Sequence, residues 1–347
     1  MNTQQILQEI CHIVNGADRI LITGQGNPDG DSLGSQLALY DILLQQRRAT
    51  TPNRVPEIVI TNDFPPPVLY HFFPKIDIIT PVEHIPQSRY DVGFVLDSGT
   101  DRVGKVLPML ETCQHIINID HHQSRADGIE TLAWIEPETC SVAEMVFAFF
   151  EHPAWYLELT ADIAASLYAG IIYDTGSFRY PKTTPRTHQI AAKLLETGCD
   201  FARISEQLFL EKPLSSIRLL QEVLNTLQCS TNGTIIWGRI TQETLRRVGA
   251  TLDQDEGIIT QYAFTKGTDV AALFKEISNR EIKVSFRSHG AIDVGQFAQK
   301  MSHDGGGHSR AAGCTLHNMA MEEAEEYIVS ALSQKMLDKM ENTHNYL

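Results

Sequence analysis

The sequence predicts an α/β protein: a parallel-sheet domain followed by a smaller mixed α/β domain. Three observations carry this expectation. Short, fully apolar, β-branched runs alternate with helical patterns through the first half, the rhythm of a parallel sheet covered on both faces. The chain has 347 residues, 42% of them hydrophobic, which is enough for two cores. A turn cluster, Ser230 to Gly233, precedes a fresh run of strand-like sequence.

Arg19 to Gly24 (RILITG) reads as a buried strand. Asp31 to Gln45 follows as a helix, with Leu33, Leu37, Tyr40 and Leu44 at helical spacing. Glu57 to Thr61, Asp91 to Leu96 and His115 to Ile119 read as further strands. Pro65, Pro66 and Pro67 mark an irregular connection. Helical patterns run from Ala161 to Tyr173 and from Thr187 to Glu196. The segment 213–228 is helical in pattern, opened by Pro213, and Thr234 to Ile240 begins a second set of strands. The expected organisation is a first domain over 1–212, a helical linker over 213–229 and a second domain over 230–347.

The formal net charge is −15, from 28 Lys plus Arg against 43 Asp plus Glu. Such a balance excludes a protein that coats long duplex nucleic acid by phosphate neutralisation, and it disfavours an anionic membrane surface. Of that charge, −12 lies in residues 1–229 and −3 in 230–347. The six cysteines are scattered with no CxxC pair, so neither a zinc ribbon nor a thioredoxin-like motif is present. No Lys or Arg precedes Arg19, and the apolar run Ile163 to Tyr173 is far shorter than a membrane span. A soluble, cytoplasmic protein is expected.

The acid has a pattern. The first strand leads into Gly24-Gln25-Gly26-Asn27-Pro28-Asp29-Gly30-Asp31-Ser32. The glycine spacing is wrong for a dinucleotide fingerprint, and Asp29 and Asp31 would repel a pyrophosphate at the helix start. The plainer reading is that Asp31 caps a helix and Asp29 is a turn residue. Two further strands end in Asp97-Ser98-Gly99 and Asp120-His121-His122, and an apolar helix ends at Asp174. Residues just past the carboxyl ends of neighbouring parallel strands converge on one crevice. Several carboxylates gathered there do not ionise together unaided, and a pair of divalent cations resolves the repulsion. Carboxylates with some imidazole suit Mn²⁺ or Mg²⁺, with Mn²⁺ the first choice, and two such ions serve phosphoryl transfer. Adjacent His121 and His122 project differently, so they divide the work: one ligates and one contacts phosphate or supports a ligand.

Together these motifs resemble the DHH phosphoesterase superfamily: NPDGDSLGS at 27–35, DSG at 97–99, DHH at 120–122 and YDTGSFRY at 173–180. GGGHSRAAG at 305–313 and KVSFRS at 283–288 resemble the DHH-associated C-terminal domain. The resemblance spans roughly residues 15–320 and points to the branch of oligoribonucleases (nanoRNases) and 3′-phosphoadenosine-5′-phosphate (pAp) phosphatases. It implies a cleft between the two domains, with Asp29 and Asp97 on one metal. It implies Asp31, Asp97, His121 and Asp174 on the other, with Asp97 bridging. His122 would contact the scissile phosphate and help protonate the leaving oxygen, and Asp120 would orient a histidine. The family pattern has a His where this chain has Gln25. A Gln carbonyl is a weaker ligand, so Gln25 is expected to be a weak or absent ligand and the first metal site to be looser, or filled only with substrate.

On the substrate side, Arg287, Ser288, Gly305, Gly306, Gly307, His308 and Arg310 are expected to grip the nucleotide, since glycine lets backbone N–H groups approach an anion. For the glycine run, the plainer reading is a tight turn before a helix. Arg179 and Arg186 are cleft candidates weighed against solvated surface charges, and Phe178, Tyr180 and Tyr262 are stacking candidates weighed against core positions. The expected reaction is hydrolysis of a phosphodiester or phosphomonoester by water activated between two ions. Short single-stranded oligonucleotides or nucleotides are the expected substrates, and a homodimer is compatible. The alternatives are a linear or cyclic dinucleotide phosphodiesterase and a non-catalytic nucleotide-binding module. A RecJ-like exonuclease needs extra domains, and a pyrophosphatase lacks the GGGHxxAAG pattern.

Overall fold

The apolar runs of the first 135 residues become six strands of one sheet. A computed structural model of the chain describes residues 1–86, 88–122, 128–289 and 292–344, and side chains of the last helix as far as Asp338. It divides into two units, Met1–Glu211 and Lys212–Leu347.

The first unit runs α1 (Thr3–Gly16), β1 (Arg19–Gly24), α2 (Gly30–Thr50), β2 (Glu57–Asn62), β3 (Ile79–Pro81), β4 (Val92–Leu96), α3 (Leu107–Leu110), β5 (His115–Asp120), β6 (Leu132–Ile135), α4 (Val142–Phe147), α5 (Ala161–Asp174), α6 (Pro185–Glu196) and α7 (Phe201–Ser205). The strand order is β3-β2-β1-β4-β5-β6, and every neighbouring pair is parallel. Ile22 of β1 lies beside Ile60 of β2 and Phe94 of β4. The chain moves outward from β1 in one direction, then returns to β4 and moves outward in the other. At such a reversal the connections after β1 and β4 diverge and leave a crevice at the strands' carboxyl ends. Ile20, Ile22, Phe94 and Ile117 belong to a core with Leu33, Leu37 and Ile171 from α2 and α5. Leu21, Val95 and Ile116 form a smaller core with Val103, Val106 and Leu110. Both faces are therefore apolar, as the continuous strand runs imply.

Behind the crevice a buried polar chain fixes the start of α2. Asn62 Oδ1 accepts from the Gly24 N–H at 3.0 Å. Asn62 Nδ2 donates to Gln36 Oε1 at 3.0 Å, and Gln36 Nε2 donates to Ser32 Oγ at 3.1 Å. Asn62, Gln36 and Ser32 are all fully buried, so each bond replaces water that cannot enter.

The second unit runs α8 (Leu214–Asn225), β7 (Gln228–Cys229), β8 (Ile235–Ile240), α9 (Gln242–Val248), α10 (Ile258–Ala263), β9 (Val270–Ser278), β10 (Glu281–Ser288), α11 (Val294–Met301), β11 (Gly306–Gly307), β12 (Ala311–His317) and α12 (Met321–His344). Its sheet has the order β11-β12-β10-β9-β8-β7, parallel only between β8 and β9. Val284 and Phe286 pack on one face with Phe297 and Ile328. Ala271 and Leu273 pack on the other with Leu219, Val223 and Tyr262.

The helical pattern over 213–228 is interrupted. The helix ends at Asn225, because Gln228 and Cys229 pair with Trp237 and Ile236 as an edge strand. Through Leu219 and Val223, α8 shares a core with the second sheet. The glycine run precedes a strand rather than a helix: Gly306 and Gly307 pair with Gly313 and Ala312. Among the described residues no helix is long and apolar enough to cross a membrane.

Candidate metal centre

Three strand ends and one helix end supply the site. Asp29 follows β1 and caps α2, its Oδ1 accepting from the Asp31 and Ser32 N–H groups at 3.1 Å each. The capping role thus falls to Asp29, and Asp31 sits in the first turn of α2. Asp31 is fully buried. Its two oxygens accept from the backbone N–H groups of Val142 (2.6 Å) and Ala143 (2.9 Å) at the start of α4. That grip fixes the carboxylate and leaves remaining lone pairs for a cation.

Asp97, directly after β4, is 3% exposed and adopts a left-handed backbone with φ +57°. Its N–H donates to the Ile119 carbonyl at 3.0 Å, which ties it to β5. The neighbouring turn is held by buried Asn118, whose Nδ2 donates to the Val95 and Ser98 carbonyls. A left-handed aspartate is uncommon, and such strain persists where the surroundings over-determine it.

The two histidines after β5 are differently employed. His121 is 1% exposed, and its Nδ1 lies 3.3 Å from the Thr139 carbonyl. A proton on Nδ1 there leaves Nε2 as the ligating nitrogen, 3.1 Å from Asp174 Oδ2 and 3.5 Å from Asp97 Oδ1. His122 Nδ1 lies 2.6 Å from Asp120 Oδ1, which also accepts the His122 N–H. Asp120, at the end of β5 and 1% exposed, therefore orients His122 rather than His121.

These residues fit divalent cations. Ligand atoms of Asp31, Asp97 and His121 lie within 4.8 Å of one another, as do those of Asp97, Asp120 and His122. Asp97 Oδ1 is buried without a hydrogen bond among the described residues. In the metal-free protein, burial and the Asp174 charge push Asp29 up to about 6 and Asp31 up to about 8. Burial and Asp29 raise Asp97 well above the carboxylate range. Burial disfavours a charged His121, yet Asp174 and Asp97 hold its pKa well above the ordinary value. Burial likewise opposes ionisation of Asp120, but His122 wins and lowers it. The protons held by this cluster are what a cation would displace.

The other sequence candidates fall in several places. Gln25, directly after β1, is half-buried. Arg179 is exposed, and its Nε donates to the Gly176 carbonyl. Arg186 pairs with Glu151 at 2.7 Å. Tyr262 is 3% exposed and belongs to the second unit's core, and Phe178 stacks on His188. Tyr180 remains exposed. Within the second unit, Arg287 and Ser288 end β10 beside the turn that carries His308 and Arg310. Arg287 pairs in register with Ala311, and the Ser288 N–H donates to the Arg310 carbonyl at 2.9 Å. Arg287 Nη1 donates to the Phe286 carbonyl, and Ser288 Oγ donates to Ile292 O. A Cβ on Gly305 would stand 1.9 Å from the Ala298 carbonyl, so this glycine is needed for the loop to lie on α11.

Sequence reasoning missed two residues. Gly170, inside α5, would with a Cβ stand 2.7 Å from Asp31 Oδ1 and 2.8 Å from Ala143 Cβ. Lys182, half-buried, places its Nζ 3.5 Å from the His121 carbonyl, and burial lowers its pKa. Gly170 follows no motif spacing, and the only signal was a glycine inside an apolar helical run.

Gly170→Ala is expected to displace Asp31 and weaken metal binding by about tenfold or more, about 1.4 kcal/mol. Calorimetric titration with Mn²⁺ checks this, and unchanged affinity would refute it. The pKa directions set a second expectation. Raised carboxyl pKa values mean that the unfolded chain ionises first, so the metal-free fold loses stability as pH climbs from about 4 to about 8. His121 acts in the same direction, its contribution fading as pH passes its raised pKa. Thermal melts with EDTA should therefore fall across that window, and added Mn²⁺ should raise Tm most at its upper end. A metal-induced rise in Tm independent of pH would contradict this.

Comparison with known proteins agrees with the geometry. The DHH family N-terminal domain matches residues 19–171, and the DHHA1 domain matches residues 244–338. The bifunctional oligoribonuclease and PAP phosphatase NrnA of Thermus thermophilus is 30% identical over 333 residues, covering 96% of this chain and 94% of that protein. The crystal structure of an exopolyphosphatase-related protein from Bacteroides fragilis superposes with a TM-score of 0.86 at 23% identity, over 97% of this chain and 98% of that one. Exonuclease RecJ bound to manganese shares the fold at a TM-score of 0.50 and 14% identity, over 98% of this chain and 94% of that one. With both domain matches in order and a full-length relative at that identity, the chain belongs to the DHH family of phosphoesterases, hydrolases of phosphate esters.

Proposed function

We propose that this protein hydrolyses short oligoribonucleotides and pAp, the activities named for its relative in Thermus thermophilus. The observation that carries the reading is the convergence of Asp31, Asp97 and His121 within 4.8 Å. Asp31, Asp97, His121 and Asp174 would hold one divalent ion, and Asp29 with Asp97 the other, with Mn²⁺ preferred over Mg²⁺. Bound there, two such ions activate water and neutralise charge on the phosphate.

The protein's own groups do the rest. Asp31 is immobilised by two N–H donors, so its position is set before substrate arrives. Asp120 orients the His122 ring through Nδ1, and His122 would meet the phosphate and pass a proton to the leaving oxygen through Nε2. The residues proposed to bind the nucleotide are Arg287, Ser288, Gly305, Gly306, Gly307, His308 and Arg310 in the second unit and Arg179 in the first. A net charge of −15 supports short single strands over long duplexes as substrates. A cytoplasmic location and a homodimer fit this reading.

Turnover of pAp, a diribonucleotide, longer RNA, a cyclic dinucleotide and pyrophosphate with Mn²⁺ or Mg²⁺ tests the proposal. The highest kcat/KM is expected for the diribonucleotide or pAp, and Asp97→Asn should remove most of the rate with the fold intact. Pyrophosphate or long RNA as the best substrate, or near wild-type turnover by Asp97→Asn, would overturn it. Gln25 leaves the first ion without an imidazole, so that ion should bind more weakly than the second. Gln25→His is expected to equalise the two in a Mn²⁺ titration. Two equally tight ions in the unaltered protein would refute this.

A further inference from the structure

We infer that Lys182 is a substrate-binding cation of the catalytic unit, gripping the phosphate that is attacked. The inference rests on the proposed phosphoesterase reading and adds to it a group that no motif supplies.

The position of Lys182 is built, not incidental. Helix α5 ends at Asp174, and Gly176, Ser177 and Phe178 follow with φ of +55°, +61° and +63°. Three successive left-handed residues, two of them not glycine, cost energy that the surroundings must offset. Thr175 does so. Its Oγ1 donates to the Ile171 carbonyl at 2.6 Å and accepts the Phe178 N–H at 3.0 Å. Its carbonyl accepts the N–H groups of Arg179 and Tyr180 at 2.8 and 2.9 Å. Downstream, the Thr183 N–H donates to the Tyr180 carbonyl, and Thr184 caps α6 through a reciprocal bond with Thr187. Lys182 therefore lies between two anchored points, and the reversal carries its ammonium back to the DHH segment, 3.5 Å from the His121 carbonyl.

The ammonium is also uncommitted. The His121 carbonyl is its one hydrogen-bond partner among the described residues, and it joins no ion pair there, although Asp174, Glu138 and Asp120 all act on it electrostatically. A lysine ammonium has three donors, so two remain for a ligand. Its neighbours His121 and His122 carry the metal-binding and phosphate-contacting roles. Cations bound by the carboxylates would absorb the local negative charge, and a phosphate oxygen is then the anion within reach. Arg179, the other cation of this segment, donates its Nε to the Gly176 carbonyl of its own turn.

A group that meets only the attacked phosphate acts alike on every substrate. Lys182→Met is expected to lower kcat/KM by about 10²-fold for both pAp and a diribonucleotide. Inorganic phosphate should bind correspondingly more weakly to the Mn²⁺-loaded variant. Mn²⁺ affinity without phosphate and Tm should stay at wild-type values, and Lys182→Arg should recover most of the loss. A fall in Mn²⁺ affinity as large as the fall in kcat/KM would overturn the inference, because Lys182 would then serve only to place His121. A loss confined to one substrate, or no loss, would also overturn it. If the unaltered protein hydrolyses neither substrate, the functional reading fails by itself, and the phosphate titration still decides the role of Lys182.

Discussion

The rest of the first unit depends on how one fully buried carboxylate is held. Asp31 has no water to solvate it, and the Val142 and Ala143 N–H groups take that place. Burying a carboxyl group without such partners would be costly, whichever its protonation state. The start of α4 must therefore face the start of α2. Ser141 secures it by capping α4 with its hydroxyl, which accepts the Glu144 N–H. Gly170 must lack a side chain so that α5 can close over the same point. Three helices meet at this single residue, and α5 ends at Asp174.

The sheet supplies the remaining geometry. Because β1, β4 and β5 are adjacent and parallel, Asp29, Asp97 and the Asp120-His121-His122 run leave the sheet at the same edge. Ninety residues of sequence separation collapse to a few ångströms by strand order alone. Burial first, and then the repulsion of neighbouring carboxylates, raises the carboxyl pKa values of Asp29, Asp31 and Asp97, which is the electrostatic setting of a candidate cation site. The concentration of the −15 net charge in the first part of the chain has the same origin in part.

Much of this was legible before any coordinates. The strands announce themselves as continuous apolar runs, and β1 spans the six residues read from sequence. The acids stand out because each follows such a run. Asp29 shows the limit of choosing between readings: it caps a helix and also joins the cluster, and residue type alone does not separate the two roles. The ending of α8 at Asn225 depends on strand pairing with β8, which a local helical pattern cannot register. Gly170 and Lys182 matter only through distances to residues remote in sequence, so no spacing rule could reveal them. The glycine run looked like an anion cradle; what the structure shows at Gly305 is a packing demand, close approach to α11.

The left-handed backbone at Asp97 shapes how this protein can change over generations. Glycine bears that conformation freely, asparagine tolerates it well, and branched side chains do so poorly. Both tolerated replacements lie one transition away from an aspartate codon. Decay at this position thus has two short routes to a chain that keeps its fold and loses a carboxylate from the candidate metal centre. Duplicated copies of such a gene would be expected to drift toward silent, folded nucleotide binders through asparagine or glycine at this point.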